Sequence, residues 1–425
     1  MTRRLSVLKL FGSVAFAVIL VACRGVSNQS DGTTPWLGSA LAPPNATGDA
    51  GFKTLYSFEG DPDGRFPKAS LVAVTNVLYG TTSAGGEHAV GTLFKMSLAG
   101  DESVVHSFGR GDGIDPRANV IALNGDLYGT TYSEGPNLGG TVYDVTIASG
   151  KLEVLYGFNG KDGLRLESGL LAASNTLYGT TSEGGTGTKC SDGCGTVFAL
   201  SLPSGKHRIV YSFKGGTDGS SPVAGLIAVR GMLYGTTRHG GATSCLYGCG
   251  TVFALAPSSG KERVIYRFKG GKDGNSPAAS LLAFKGKLYG TTVAGGIATP
   301  HCTSGCGTVF AVRPVPHAAA EERIIHRFTG GKDGAAPYAA LIEVRSVLYG
   351  TTAAGGLRDS CLGCGTVFQV DASGVERVLH TFNGRDGSHP QASLIEADGA
   401  LYGTTEKGGE HCPFAGCGTV FTLSP

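Results

Sequence analysis

The sequence predicts an all-β fold, a seven-bladed β-propeller whose blades are four-stranded antiparallel sheets. Three observations carry this. The word LYGTT occurs seven times, starting at Leu78, Leu127, Leu177, Leu233, Leu288, Leu348 and Leu401, with starts 49 to 60 residues apart. Recurrence at such a period marks a repeat array. From Gly51 to Pro425 no window keeps an apolar period of 3.6, and short apolar runs alternate with glycine-rich turns. The array opens on one extra strand and closes one strand short, so its two ends complement each other.

The fourth unit shows the elements in order. Ala224–Val229 is a short apolar run, and Arg230-Gly231 is a two-residue hairpin turn. Met232–Arg238 carries LYGTT, Gly250–Leu255 reads GTVFAL, and Arg263–Phe268 follows a Ser-Gly turn. Four short strands joined as a meander make one blade, with strands a, b, c and d in that order. GTVF or a near variant starts at Gly91, Gly140, Gly195, Gly250, Gly307, Gly365 and Gly418. An Asp-Gly follows each strand d, and six units then carry a proline, at Pro67, Pro116, Pro222, Pro277, Pro337 and Pro390. The third unit has Glu167 in that neighbourhood.

Phe52–Phe58 reads as a strand d with no a, b or c before it, and Thr419–Leu423 as a strand c with no d after it. Residues 52–58 are therefore expected to complete the last blade and close the ring, leaving no long unpaired edge. Within LYGTT, Leu and Gly point to one face of strand b, and Tyr and Thr to the other. Gly80 and its counterparts are expected to admit a bulky side chain from an adjacent blade.

Ahead of the array, Arg3, Arg4 and Lys9 precede the apolar run Leu10–Val21, which is short for a membrane-spanning helix. The run ends in Leu20-Val21-Ala22-Cys23, which resembles the bacterial lipobox. That resemblance implies export, cleavage and lipidation at Cys23, with acyl chains as the anchor. Residues 24–50 are rich in Ser, Gly, Pro, Asn and Thr and read as a flexible tether. The expected organisation is a lipoprotein signal peptide over 1–23, a linker over 24–50 and the propeller over 51–425. The protein is then exported and held on the outer membrane or cell surface by its N-terminal lipid.

The combination LYGTTxxGG…GTVF…SF…DG resembles the GloVer tandem repeat of exported bacterial proteins with various anchors, over Gly51 to Pro425. The resemblance implies an exported, surface-anchored repeat protein and no established activity. A Leu-Tyr strand followed by Gly-Gly is also similar to kelch propellers, but their following Trp is missing: the one Trp, Trp36, precedes the repeats.

Charge is balanced, 35 basic against 33 acidic residues, which implies no face-wide basic field and makes nucleic acid an unexpected partner. The expected state is a monomer, with no cofactor. Of eleven cysteines, ten form close pairs: Cys190–Cys194, Cys245–Cys249, Cys302–Cys306, Cys361–Cys364 and Cys412–Cys417. All lie between strands b and c, where the distance from LYGTT to GTVF grows from 13 residues to 17–19. An exported protein meets an oxidising compartment, so disulfides are expected. A loop this short gains only about 2 kcal/mol by the chain-entropy model. Zinc is the alternative at Cys361 and Cys364, but no second pair shares that loop.

In a meander the b–c and d–a loops share one face, and the longer loops lie there, so that face is the expected functional surface. A residue repeated seven times serves the scaffold. The Asp-Gly pairs read as turn formers, since no downstream Glu completes a calcium loop. Residues that break the repeat are the candidates for ligand contact: Arg65, Arg117, Glu134, Arg165, Glu167, Glu183, Arg238, His239, Glu406 and Lys407. His88, His301 and His411 are scattered and form no metal motif. Three functions stay open at this point. One is a binding or interaction module for a glycan or a protein. The second is a polysaccharide hydrolase or lyase built from loop carboxylates at the central funnel. The third is a structural cell-surface module.

Overall fold

The computed structural model describes residues 51–314, 321–358, 361–412 and 415–425, with side chains at all but 357, 358, 361 and 362. The signal peptide, lipobox Cys23 and linker expected over 1–50 lie outside the described residues, as does the side chain of Cys361. Seven four-stranded antiparallel sheets follow one another. Blade 1 consists of Val72–Val74, Val77–Thr82, Thr92–Ser97 and Glu102–Ser107 as strands a to d. Strands a of successive blades meet around the axis, which puts a innermost and d outermost. The last blade takes its strand d from Lys53–Ser57, which pairs with Thr419–Leu423. The ring therefore closes as its ends predict. Strand a is shorter than the apolar run that predicts it: in blade 4 it is only Ile227–Val229, and Ala224–Leu226 lead up to it.

Each glycine of LYGTT, on strand b, pairs with the aromatic residue of the GTVF segment on strand c, as Gly80 does with Phe94. A Cβ on Gly80 would come 2.6 Å from the Phe94 ring and 2.8 Å from Leu71. The bulky neighbour thus belongs to the same blade, which corrects the expectation of one from an adjacent blade. Pleat geometry explains it: the directly opposed residue shares the glycine's face and is nearer than any residue of the next sheet. The adjacent blade meets that Phe instead. Phe58 of strand d packs edge-on against Phe94, and each of the seven junctions repeats such a pair at 4.9–5.2 Å. Edge-to-face pairing adds about 0.5–1.5 kcal/mol to the burial of each ring.

Blade 2 carries Tyr143 where the others carry Phe. Tyr143 is fully buried and its hydroxyl has no hydrogen-bond partner. An unpaired buried hydroxyl costs about 1–3 kcal/mol. Tyr143→Phe is therefore expected to raise stability by about 1 kcal/mol, read as a higher urea midpoint with an unchanged slope; an equal or lower midpoint would show the hydroxyl to be satisfied.

The two threonines of LYGTT do separate work. The second pairs with the Thr of GTVF, as Thr82 Oγ1 does with Thr92 Oγ1, at 2.8–2.9 Å in all seven blades. The glycine of Asp-Gly rests on this pair: Gly64 has φ 151°, and a Cβ there would lie 2.6 Å from Thr82. The aspartate holds the same turn, with Asp63 Oδ2 accepting from Glu59 N at 2.8 Å. The first threonine reaches into the next blade, as the mouth of the channel shows.

Candidate functional site

After each Asp-Gly the chain turns inward through a residue in the left-handed region. The seven are Phe66, Asp115, Arg165, Ser221, Ser276, Ala336 and His389, with φ between 53° and 59°. None is glycine, so each carries a small steric cost that its surroundings must offset. The offset includes a main-chain bond to the preceding blade: Phe66 N donates to Cys417 O at 2.8 Å and Ser221 N to Cys194 O at 3.0 Å. In blades 3 to 7 the acceptor is the second cysteine of the loop pair, a buried residue.

The disulfides Cys190–Cys194, Cys245–Cys249, Cys302–Cys306 and Cys412–Cys417 are formed. They therefore brace the carbonyls on which the next blade's turn hangs. Blades 1 and 2 make the same bond from Val90 and Gly139, on the shorter loops.

The proline comes next and packs on the glycine that opens GTVF in the preceding blade, as Pro116 does on Gly91. In the third unit Leu166 takes that place, packing on Gly140, and Glu167 stands one residue further on. This shifts the sequence reading, in which Glu167 stands for the proline.

Three residues then line the channel in every blade. The middle one is Ala or Ser, and its carbonyl accepts a hydrogen bond from the first Thr of the previous blade's LYGTT. Thr81 Oγ1 donates to Ala118 O, and the seven such bonds span 3.0–3.3 Å. The first residue of each triplet does not repeat: Lys68, Arg117, Glu167, Val223, Ala278, Tyr338 and Gln391 stand in blades 1 to 7. These seven positions ring a cavity of about 110 Å³ on the axis.

The third residues sit deeper in the lining. Ser393 N donates to Ser70 Oγ at 3.0 Å, and Ala340 N to Ser393 Oγ at 2.9 Å. A Cβ on Gly225 would lie 2.9 Å from Ser280 Oγ, and Asn119 fills the space beside Gly169. Neighbouring blades thus touch through this layer and narrow the channel.

Polar groups gather on one arc. Arg117 binds Asp115 through Nε and Nη2 at 2.8 and 2.5 Å, and its guanidinium lies 3.6 Å above the Tyr132 ring. Burial opposes the Arg117 charge, and the Asp115 carboxylate more than offsets it, so its pKa is raised. Arg165 sits 5.8 Å from the same ring and binds Glu183 at 2.6 Å. Burial nevertheless raises the Glu183 pKa, because Asp192 and Glu167 add to desolvation against the pull of Arg165. Glu167 accepts from Ser182 Oγ at 3.0 Å. Glu406 is 3.5 Å from Lys68 and accepts from Gln391 at 2.5 Å.

Of the residues singled out from the sequence, Arg117 and Glu167 line the channel, with Arg165, Glu183 and Glu406 tied to it as just described. Arg65, Arg238, His239 and Lys407 occupy the flanking d–a and b–c loops, half-buried. Burial, with Arg238 beside it, lowers the His239 pKa to about 4 and keeps the ring neutral. Glu134 is not in the lining: it binds Arg110, whose side chain is 80% exposed. Sequence reasoning missed Lys68, Val223, Ala278, Tyr338 and Gln391. The signal was present as the residue after each proline, or after Leu166 in the third unit, where all seven copies differ.

A hollow of about 1050 Å³ lies at the outer rim of the closing blade, lined by Tyr56, Glu59, Arg385, Asp386, Glu410 and His411 among others. It holds none of these candidates. Among the described residues no group of three His, Cys, Asp or Glu side chains is placed to hold a metal ion.

Three solved structures are similar to this chain at low identity. An oligogalacturonate lyase in complex with manganese is 11% identical with a TM-score of 0.50, covering 88% of this chain and 92% of its own. A nidogen/laminin complex chain is 12% identical at 0.41, covering 68% and 90%. TolB from Acinetobacter baumannii is 12% identical at 0.40, covering 68% and 59%. No curated protein matches the chain. The model of the Gloeobacter/Verrucomicrobia repeat matches residues 44–247 and 242–425. With that match over nearly all of the propeller, the chain belongs to the Gloeobacter/Verrucomicrobia repeat family.

Proposed function

We propose that this protein is an exported, lipid-anchored binding module that holds a glycan or protein ligand at the mouth of its central channel. One observation carries the reading. Seven structurally equivalent positions converge on the axis, and they hold seven different residues, while the threonines, glycines and alanines that position them repeat. A scaffold alone gains nothing from such variety at its point of convergence. A ligand surface does, because each blade contributes a different contact to one site.

Export and anchoring rest on Arg3, Arg4, the apolar run and the lipobox ending at Cys23. The charged groups of the mouth are engaged with one another, which suits recognition more than turnover. The experiment joins both parts. Cys23→Ala is expected to move the protein from the membrane fraction to the soluble fraction. Arg117→Ala and Glu167→Ala should each weaken capture of the ligand found by screening glycans and surface proteins, by about tenfold. Binding untouched by both mouth variants would overturn the site. Turnover of a polysaccharide, lost on Glu167→Gln, would replace the binding reading with a hydrolase or lyase.

A further inference from the structure

We infer that the ligand group seated in the channel mouth is one uncharged saccharide unit, held by its apolar ring face on one arc and by its hydroxyls on the other. This deepens the binding reading above and rests on it.

The lining is two-faced. Going round the axis, Gln391, Lys68, Arg117 and Glu167 of blades 7, 1, 2 and 3 form a continuous polar arc. Val223, Ala278 and Tyr338 of blades 4, 5 and 6 form a continuous apolar arc that includes the half-exposed Tyr338 ring. A sugar ring has the same division, with C–H groups on a face and hydroxyls around the edge. An aromatic side chain offers a flat apolar surface to the former, and its hydroxyl remains available at the rim.

Charge argues against an anionic ligand. Arg117 is neutralised by Asp115 and Lys68 by Glu406, and Glu167 adds a third carboxylate to these two cations. An anion would have to displace a carboxylate already in place. The same pairing leaves groups for hydroxyls and holds them still. Arg117 spends Nε and Nη2 on Asp115, so Nη1 is left. Gln391 donates to Glu406, so its carbonyl oxygen is left, and Glu167 has one oxygen beyond the one that Ser182 occupies. Planar groups fixed in this way present both donors and acceptors to neighbouring hydroxyls.

Size sets the length. The cavity of about 110 Å³ is well below the roughly 300–1,000 Å³ of a drug-sized pocket. The third residues of each triplet narrow it below. A single terminal unit enters, and a chain does not thread through.

The test is calorimetric titration of the purified full chain with neutral hexose oligosaccharides of gluco, manno and galacto configuration. Oligogalacturonides and a lysine-rich peptide of similar length serve as comparison probes. A neutral oligosaccharide should bind, with affinity changing less than about twofold between low and high salt, since uncharged partners feel little screening. Tyr338→Ala should weaken it by about tenfold and Tyr338→Phe by less than about threefold, both with an unchanged melting temperature.

Tighter binding of the oligogalacturonide or the peptide, lost in Tyr338→Ala or Glu167→Gln and falling steeply with salt, would overturn the uncharged-saccharide inference and leave the mouth as the site. Binding of any probe that ignores these variants would overturn both. Failure of every probe, neutral ones included, would overturn the saccharide inference.

Discussion

Phe58→Ala is expected to destabilise the protein by about 3–5 kcal/mol, the range for removing a fully buried Phe. Deleting residues 51–58 should abolish the cooperative fold. Phe58 is 0% exposed and packs edge-on against Phe94 of blade 1, while its own strand pairs with Thr419–Leu423 of blade 7. The strand therefore joins the two ends of the array. Its loss would expose both the edge of Thr419–Leu423 and the Phe94 face, and an open edge invites intermolecular pairing. Urea unfolding followed by circular dichroism would measure the substitution, with Val104→Ala on the half-exposed strand d of blade 1 as a surface control. If Phe58→Ala cost no more than that control, the ring would not depend on this closure.

Stability should fall as pH rises from about 6.5 to 8, and Glu→Gln substitutions at the blade seams should remove the fall. At four junctions a strand d glutamate approaches the Asp-Gly turn of the preceding blade. Burial first, and the neighbouring Asp63 second, push the Glu102 carboxyl up to about 8. Glu262 beside Asp218 reaches about 8, and Glu322 beside Asp273 about 7, for the same reasons. Burial also lifts Glu376 to about 7, with Asp333 adding to it and His326 opposing.

Tyr56 donates to Asp63 at 3.1 Å, Tyr211 to Asp218 at 2.9 Å and Tyr266 to Asp273 at 2.6 Å. Each glutamate also has a buried oxygen with no donor. For Glu102, Glu262 and Glu322, a proton held between the glutamate and the neighbouring aspartate would satisfy that oxygen.

These glutamates have folded pKa values above their unfolded value near 4.5, so the folded state binds more protons. Their contribution is complete below about 4.5 and is lost as pH rises through 7 to 8. The half-buried His207, His239 and His389 act in the opposite sense, because desolvation lowers their pKa values. Their contribution is present above 6.5 and is lost on acidification, so the alkaline limb above 6.5 belongs to the glutamates. The carboxyls are only partly buried, which reduces each to on the order of 1 kcal/mol. Gln mimics the protonated acid. Glu102→Gln, Glu262→Gln and Glu322→Gln combined should therefore match the parent near pH 5 and exceed it near pH 9 in melting temperature. A parent whose melting temperature is flat from pH 6.5 to 9 would rule out the shared protons.

The blade count, the strand order, the turn at each Asp-Gly and the closure were legible in the sequence. Each rests on local patterning: alternation along a strand, glycine at a turn, a word repeated at one spacing. The site was only half legible. Arg117 and Glu167 stood out as charged residues in unlike copies of a loop, and both line the channel. Lys68, Gln391 and Tyr338 stood at the same register and drew no notice, because a lysine, a glutamine or a tyrosine in a loop is ordinary. Glu134 broke the repeat just as visibly, yet it pairs with Arg110 outside the lining.

What decided between them is the ring. Closing seven blades around an axis brings one residue per repeat to a common point, and only the three-dimensional path of the turn says which one. The partners of Glu102 and Phe94 were hidden for the same reason: they belong to the neighbouring blade. LYGTT determines by itself how each blade is built, with Gly80 beneath Phe94 and Thr82 against Thr92. The reach of Thr81 to Ala118 in the next blade, which fixes the mouth, exists only once the blades stand side by side.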